Sequence, residues 1–147
     1  MLEQRIQEYY LRGYGAVAIN DPLVSTEELG NKIIGMIPEN SGDETISGSI
    51  SEIIKAGVPE QGLKLINYLL AKKPEWKKAL FICKITCLTL NNNLEQIIKN
   101  VHEYETAYGR DENSMAALLH AYLADGYLKH EMEIRDLIAQ LKPIAEG

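Results

Sequence analysis

Turn-forming residues recur in this chain at a nearly constant interval. Gly57, the run Asn91-Asn92-Asn93 and Gly126 mark three turns, with Asn91 34 residues after Gly57 and Gly126 35 residues after Asn91. Prolines keep the same time: Pro74 and Pro143 each follow a turn glycine by 17 residues. A period of about 34 residues holds two helices of roughly 14 residues each with their connections, and leaves no room for a sheet. One such pair cannot bury its apolar stripe alone. Pairs therefore stack, and about three are needed for a stable core.

The segments between the turns carry the helical period. In 59–72, Leu63, Ile66, Leu69 and Leu70 make one stripe. Pro59 suits a first turn, and Pro74 ends that helix and begins the next. Residues 75–90 place Trp76, Leu80, Cys83, Cys87 and Leu90 on one side. Residues 94–108 place Leu94, Ile97, Ile98, Val101 and Tyr104 together, with Asn92 or Asn93 as the N-cap. Residues 113–125 carry Met115, Leu118, Leu119, Tyr122 and Leu123, and 129–142 carry Met132, Ile134, Leu137, Ile138 and Leu141 before Pro143 closes the unit. Toward the N-terminus, 2–19 reads as a helix around Leu2, Ile6, Tyr9 and Tyr10, weakened at its end by Gly13 and Gly15. Ser25 with Glu28 has capping-box spacing and opens a helix over 26–37. Residues 39–43 read as a loop and 44–56 as a helix. The expectation is eight helices in four antiparallel pairs, 2–19 with 26–37, 44–56 with 59–72, 75–90 with 94–108, and 113–125 with 129–142.

The last three pairs resemble tetratricopeptide repeats (TPR). Gly57, Gly62, Ile66, Leu69 and Pro74 follow that family's order of turn glycine, small residue, bulky residues and closing proline. Leu118 and Tyr122 stand where the family has Leu and Tyr. Gln96, Glu131, Tyr108 and Arg135 depart from the pattern, so the likeness is to a degenerate repeat. The resemblance implies an all-α fold, with antiparallel helical hairpins stacked as a TPR-like right-handed array of about eight helices. It implies a single domain over 1–147, in which 1–38 is an N-terminal helical pair or cap and 44–143 holds three TPR-like pairs. The run AALLHAYLADG, 116–126, is also similar in style to a helix of the needle-subunit chaperones of bacterial type III secretion.

Composition narrows the partner. With 15 Lys+Arg against 21 Asp+Glu, the net charge of −6 argues against binding a phosphate backbone. No apolar run reaches the roughly 18 residues of a membrane span, and the charged start MLEQRIQEYYLR is unlike a signal peptide. A cytoplasmic protein is expected, with no nucleic-acid partner and no membrane insertion. Cys83 and Cys87 sit i, i+4 without further ligands in view, so they read as small core residues with no metal. His102, His120 and His130 share no ligand spacing, and no nucleophile, zinc or phosphate-loop motif is present. The expectation is no enzyme and no cofactor. The lysines at 72, 73, 77 and 78 read as solvated or helix-dipole charges. Tyr9, Tyr10 and Tyr14 suit either an interface or half-buried packing.

In TPR-like arrays the first helix of each pair lines the concave surface. The resemblance therefore assigns a groove to Ser47, Ser51 and Ile54, to Lys78, Phe81, Ile85 and Leu88, and to Asn113, Ala116, His120 and Leu123. Phe81, Ile85 and Leu88 make it apolar, unlike the basic clamp that grips acidic C-terminal tails. An apolar groove suits a partner's amphipathic helix or peptide, and a protein-binding adaptor or chaperone is expected. The alternatives are a groove filled by the chain's own N-terminal helices, as in a small structural or regulatory subunit, and a homodimer formed through this face.

Overall fold

The computed structural model describes residues 2–91 and 93–146; Asn92 and the side chains of Gln4, Ala145 and Glu146 fall outside that description. The described chain is all-helical, with α1 (Leu2–Ala18), α2 (Thr26–Met36), α3 (Asp43–Ala56), α4 (Pro59–Lys72), α5 (Lys77–Leu90), α6 (Leu94–Tyr108), α7 (Glu112–Asp125) and α8 (Glu131–Glu146). Short 3-10 turns, Pro74–Trp76 and Tyr127–His130, precede α5 and α8.

The helix starts follow side-chain chemistry. The Ser25 hydroxyl accepts from the Glu28 amide at 3.0 Å, and the Asn93 side chain accepts from the Gln96 amide at 3.1 Å. Each satisfies a donor the helix itself leaves unpaired. Pro59 occupies the first turn of α4. Gly109 and Gly126, with φ of 84° and 134°, terminate α6 and α7 in backbone conformations open chiefly to glycine. One expected stop fails. Pro143 lies inside α8, which runs on to Glu146. The ring removes one hydrogen bond, and Ala139, whose carbonyl would have received it, is exposed to water. So close to the helix end, the loss is tolerated.

The backbone gathers into two compact units, Met1–Cys87 and Leu88–Gly147. In the first, α1 packs on α2 and α3, and α2 packs on α4. The N-terminal pair thus stacks on the next pair helix for helix. The core holds Leu11, Ile33, Ile50, Ile53, Leu65, Leu69, Leu80 and Cys83. The expected stripe of α1 is overturned. Leu2, Ile6, Tyr9 and Tyr10 are exposed, while Leu11, Gly15 and Ala18 on the opposite side are buried. Gly15 does not weaken the helix end but sets its packing distance. A Cβ there would stand 2.5 Å from Ile53 of α3. Gly30 of α2 does the same against α4, where a Cβ would lie 2.4 Å from the Tyr68 ring. Tyr68 then donates to Asn31 at 2.7 Å, and Asn20 donates to the Ala56 carbonyl at 2.7 Å, joining the end of α1 to that of α3.

In the second unit α7 packs against both α6 and α8. Ile97, Val101, Tyr104, Met115, Leu118, Ile134 and Leu137 are buried. Leu90, Leu123, Met132 and Ile138, assigned to buried stripes by period alone, are exposed, as is Leu70 in the first unit. Met132 lies on the side of α8 opposite Ile134, and Leu90 is the last residue of α5.

Candidate functional site

The face of α3 assigned to the groove is covered. Ile54 is fully buried, against Gly62 and the other core residues. Ser47 is buried too, and its carbonyl accepts from the Cys83 thiol at 3.5 Å. Ser51 donates to the same sulfur at 3.6 Å. These contacts seat α5 on the face of α3 that the periodicity left open, so Ile54 belongs to the core and not to a binding surface.

On α5 the remaining candidates divide. Lys78 and Phe81 are half-buried and Ile85 is buried, with 5% of its surface exposed. The opposite side of the helix sends Ala79, Leu80, Cys83 and Cys87 into the core of the first unit. Burial pushes the Cys83 thiol up to about 12, against a smaller downward pull from the Ser51 hydroxyl. Burial raises Cys87 as well. Neither sulfur is a nucleophile at neutral pH, since the thiolate is the reactive form. Their work is packing: the Cys87 thiol donates to the Pro59 carbonyl at 3.0 Å and lies beside Gly62.

Leu88 opens the second unit and is half-buried. On α7, Asn113, Ala116, His120 and Leu123 lie along one exposed face. The other face of α7 buries Ser114, Met115, Ala117, Leu118 and Ala121. Both α5 and α7 are apolar around most of their circumference, unlike the one-sided α4, α6 and α8. A helix of that kind is usually covered on more than one side.

The polar clusters of the second unit are structural. Asp111 caps α7 by accepting from the Ser114 amide at 3.0 Å, and the Ser114 hydroxyl accepts from the Asp111 amide at 3.0 Å. Tyr104, buried in α6, donates its hydroxyl to Asp111. Glu105 takes the Ser114 hydroxyl at 2.9 Å and Arg110 at 2.7 Å. Burial works to raise the Glu105 carboxyl, but the Arg110 and Ser114 hydrogen bonds together hold it below its ordinary value. At the far end of α7, the His130 ring sits 2.7 Å from Asp125, and that hydrogen bond holds the Asp125 carboxyl low. Among the described residues no group of three or more His, Cys, Asp or Glu is arranged to hold a metal. Two of the clustered lysines are engaged locally, Lys72 over the Tyr68 ring and Lys73 over Trp76.

A second surface includes Tyr9, Tyr10 and Tyr14, which the sequence left between an interface and half-buried packing. The outer side of α1 exposes Leu2, Ile6, Tyr9, Tyr10 and Val17, and an open cleft of about 480 Å³ lies along it beside Gly13 and Tyr14. The signal was present, in that α1 has apolar residues on two opposite faces. Periodicity alone took the bulkier face as the buried one.

No helix among the described residues is long and apolar enough to cross a membrane. No known protein family, curated protein or solved structure matches the chain.

Proposed function

We propose that the chain is a protein-binding adaptor or chaperone of degenerate TPR-like helical pairs, which docks an amphipathic helix of a partner and performs no catalysis of its own. The observation that carries this reading is α7. It buries one face in its unit and leaves Ala116, His120 and Leu123 exposed on the other, where the resemblance puts the wall of a binding groove. An apolar partner helix would cover that face by the helix-in-groove mode, with anchors at i, i+3, i+4 and i+7. The style of residues 116–126 makes a needle-subunit chaperone of type III secretion the specific form of this proposal.

The test is to purify the tagged chain from its native cell beside a Leu123→Glu variant, and to map cross-links by mass spectrometry. Leu123 is 49% exposed, so the variant keeps its helicity. The expected result is a stoichiometric partner, cross-linked through an amphipathic segment to α7 and lost in the variant. A partner bound equally by both chains, or turnover by the isolated chain, refutes the proposal.

A further inference from the structure

The exposed face of α1 has an internal symmetry. Its apolar positions, Leu2, Ile6, Tyr9, Tyr10, Gly13 and Val17, are separated by steps of 4, 3, 1, 3 and 4 residues. The order reads the same from either end, about a point between Tyr9 and Tyr10. A two-fold interface requires a patch complementary to itself, because whatever one copy presents the other also presents. Two α1 helices laid antiparallel about that point oppose Leu2 with Val17, Tyr9 with Tyr10, and Ile6 with Gly13. The last pairing is a knob and a hole. Gly13 has nothing within 4 Å of where a Cβ would stand, and it forms the floor of the cleft between Tyr9, Tyr10, Tyr14 and Val17.

We infer that this face of α1 docks on the same face of a second copy of this chain, as an antiparallel two-fold dimer with Ile6 of each copy seated over Gly13 of the other. Area and charge both favour this occupant. Leu2, Ile6, Tyr9, Tyr10 and Val17 are 73, 58, 76, 56 and 70% exposed. Together they offer roughly 700 Å², close to the roughly 800 Å² per partner of a stable interface. The chain carries a net charge of −6 and repels its own copies in general, but α1 holds Glu3 and Glu8 against Arg5 and Arg12 and is neutral. This surface is distinct from the α7 face proposed for the partner, so either assignment can fail without the other.

Sedimentation equilibrium of the full chain up to about 100 μM, a concentration at which even weak specific dimers form, is the experiment. The wild type is expected at twice its 16.5 kDa. Gly13→Leu fills the hole and is expected to raise the dissociation constant at least tenfold; should it lose helicity, Tyr9→Glu replaces it as the test. A mixture of Ile6→Cys and Gly13→Cys chains is expected to oxidise to a mixed disulfide dimer faster than either chain alone. A monomeric wild type overturns the proposal. So does a dimer indifferent to both substitutions, a mixture that cross-links no faster than its components, or a different protein found seated on α1.

Discussion

Asp111 serves two helices at once, and its removal has a calculable effect. Asp111→Ala deletes the N-cap of α7, which costs about 1 kcal/mol. It also removes the acceptor of the Tyr104 hydroxyl, and Tyr104 is fully buried. Losing a hydrogen bond to a charged acceptor costs about 1–3 kcal/mol. The expected loss is therefore about 2–4 kcal/mol, which moves a urea midpoint by roughly 1–3 M for ordinary slopes. Asp111→Asn keeps a capping oxygen and an acceptor, and should lose less than about 1 kcal/mol. The readouts are far-UV circular dichroism for the whole chain and fluorescence of Trp76, the single tryptophan, for the first unit. Tyr104→Phe closes a double-mutant cycle, in which a coupling of about 1 kcal/mol or more is expected. An Asp111→Ala midpoint indistinguishable from wild type, or strictly additive losses in the cycle, would refute the shared role.

Two neighbouring glycines of α1 should respond in opposite directions. At concentrations too low for the proposed dimer, Gly13→Ala is expected to stabilise the chain by up to about 1 kcal/mol, because a helix interior favours alanine and nothing in the single chain crowds the site. Gly15→Ala is expected to destabilise it by about 1–3 kcal/mol, because the added Cβ drives into Ile53; urea midpoints of both variants decide it. Glu105 predicts a pH dependence. Its folded carboxyl titrates below the ordinary value of 4.5. The unfolded chain therefore takes up that proton first, and the stability contributed by Glu105 is full above pH 4.5 and falls as the pH drops through the lowered folded value. The difference in urea midpoint between wild type and Glu105→Gln should shrink over that window and stay constant from pH 6 to 8.

Helix positions were legible because their causes are local. Ser25, Asn93 and Pro59 act within one turn of the helix they start, and the glycine ending α7 acts through its own φ. Facing was harder wherever a helix had two apolar sides. On α1 the larger side chains, Leu2, Ile6, Tyr9 and Tyr10, outweigh the small Gly15 and Ala18 in any hydrophobic count. Burial went to the small residues because they let α1 approach Ile53 closely, and close packing rewards shape as well as area. On α3, Ile53 and Ile54 are adjacent, and both are fully buried. Period alone assigns them to different faces; only the seating of Cys83 against Ser47 and Ser51 shows that α3 is covered on both. On α7, Ala116, His120 and Leu123 fall on one exposed face because their spacing of four and three residues keeps them on one side of a helix, opposite the buried Ser114, Leu118 and Ala121.

The apolar girth of α5 also bears on how the chain is made. Past Lys77 and Lys78 the segment ALFICKITCLTL contains one charge, Lys84, and is rich in aliphatic and β-branched residues. Unpaired, such a stretch is a ready template for intermolecular strand pairing. Synthesis runs from the N-terminus, so all of α1 to α4 leaves the ribosome first and can assemble as it emerges. The surface that takes up Leu80, Cys83 and Cys87 is then available before α5 appears, and the most adhesive segment of the chain is the last part of its unit to need shelter.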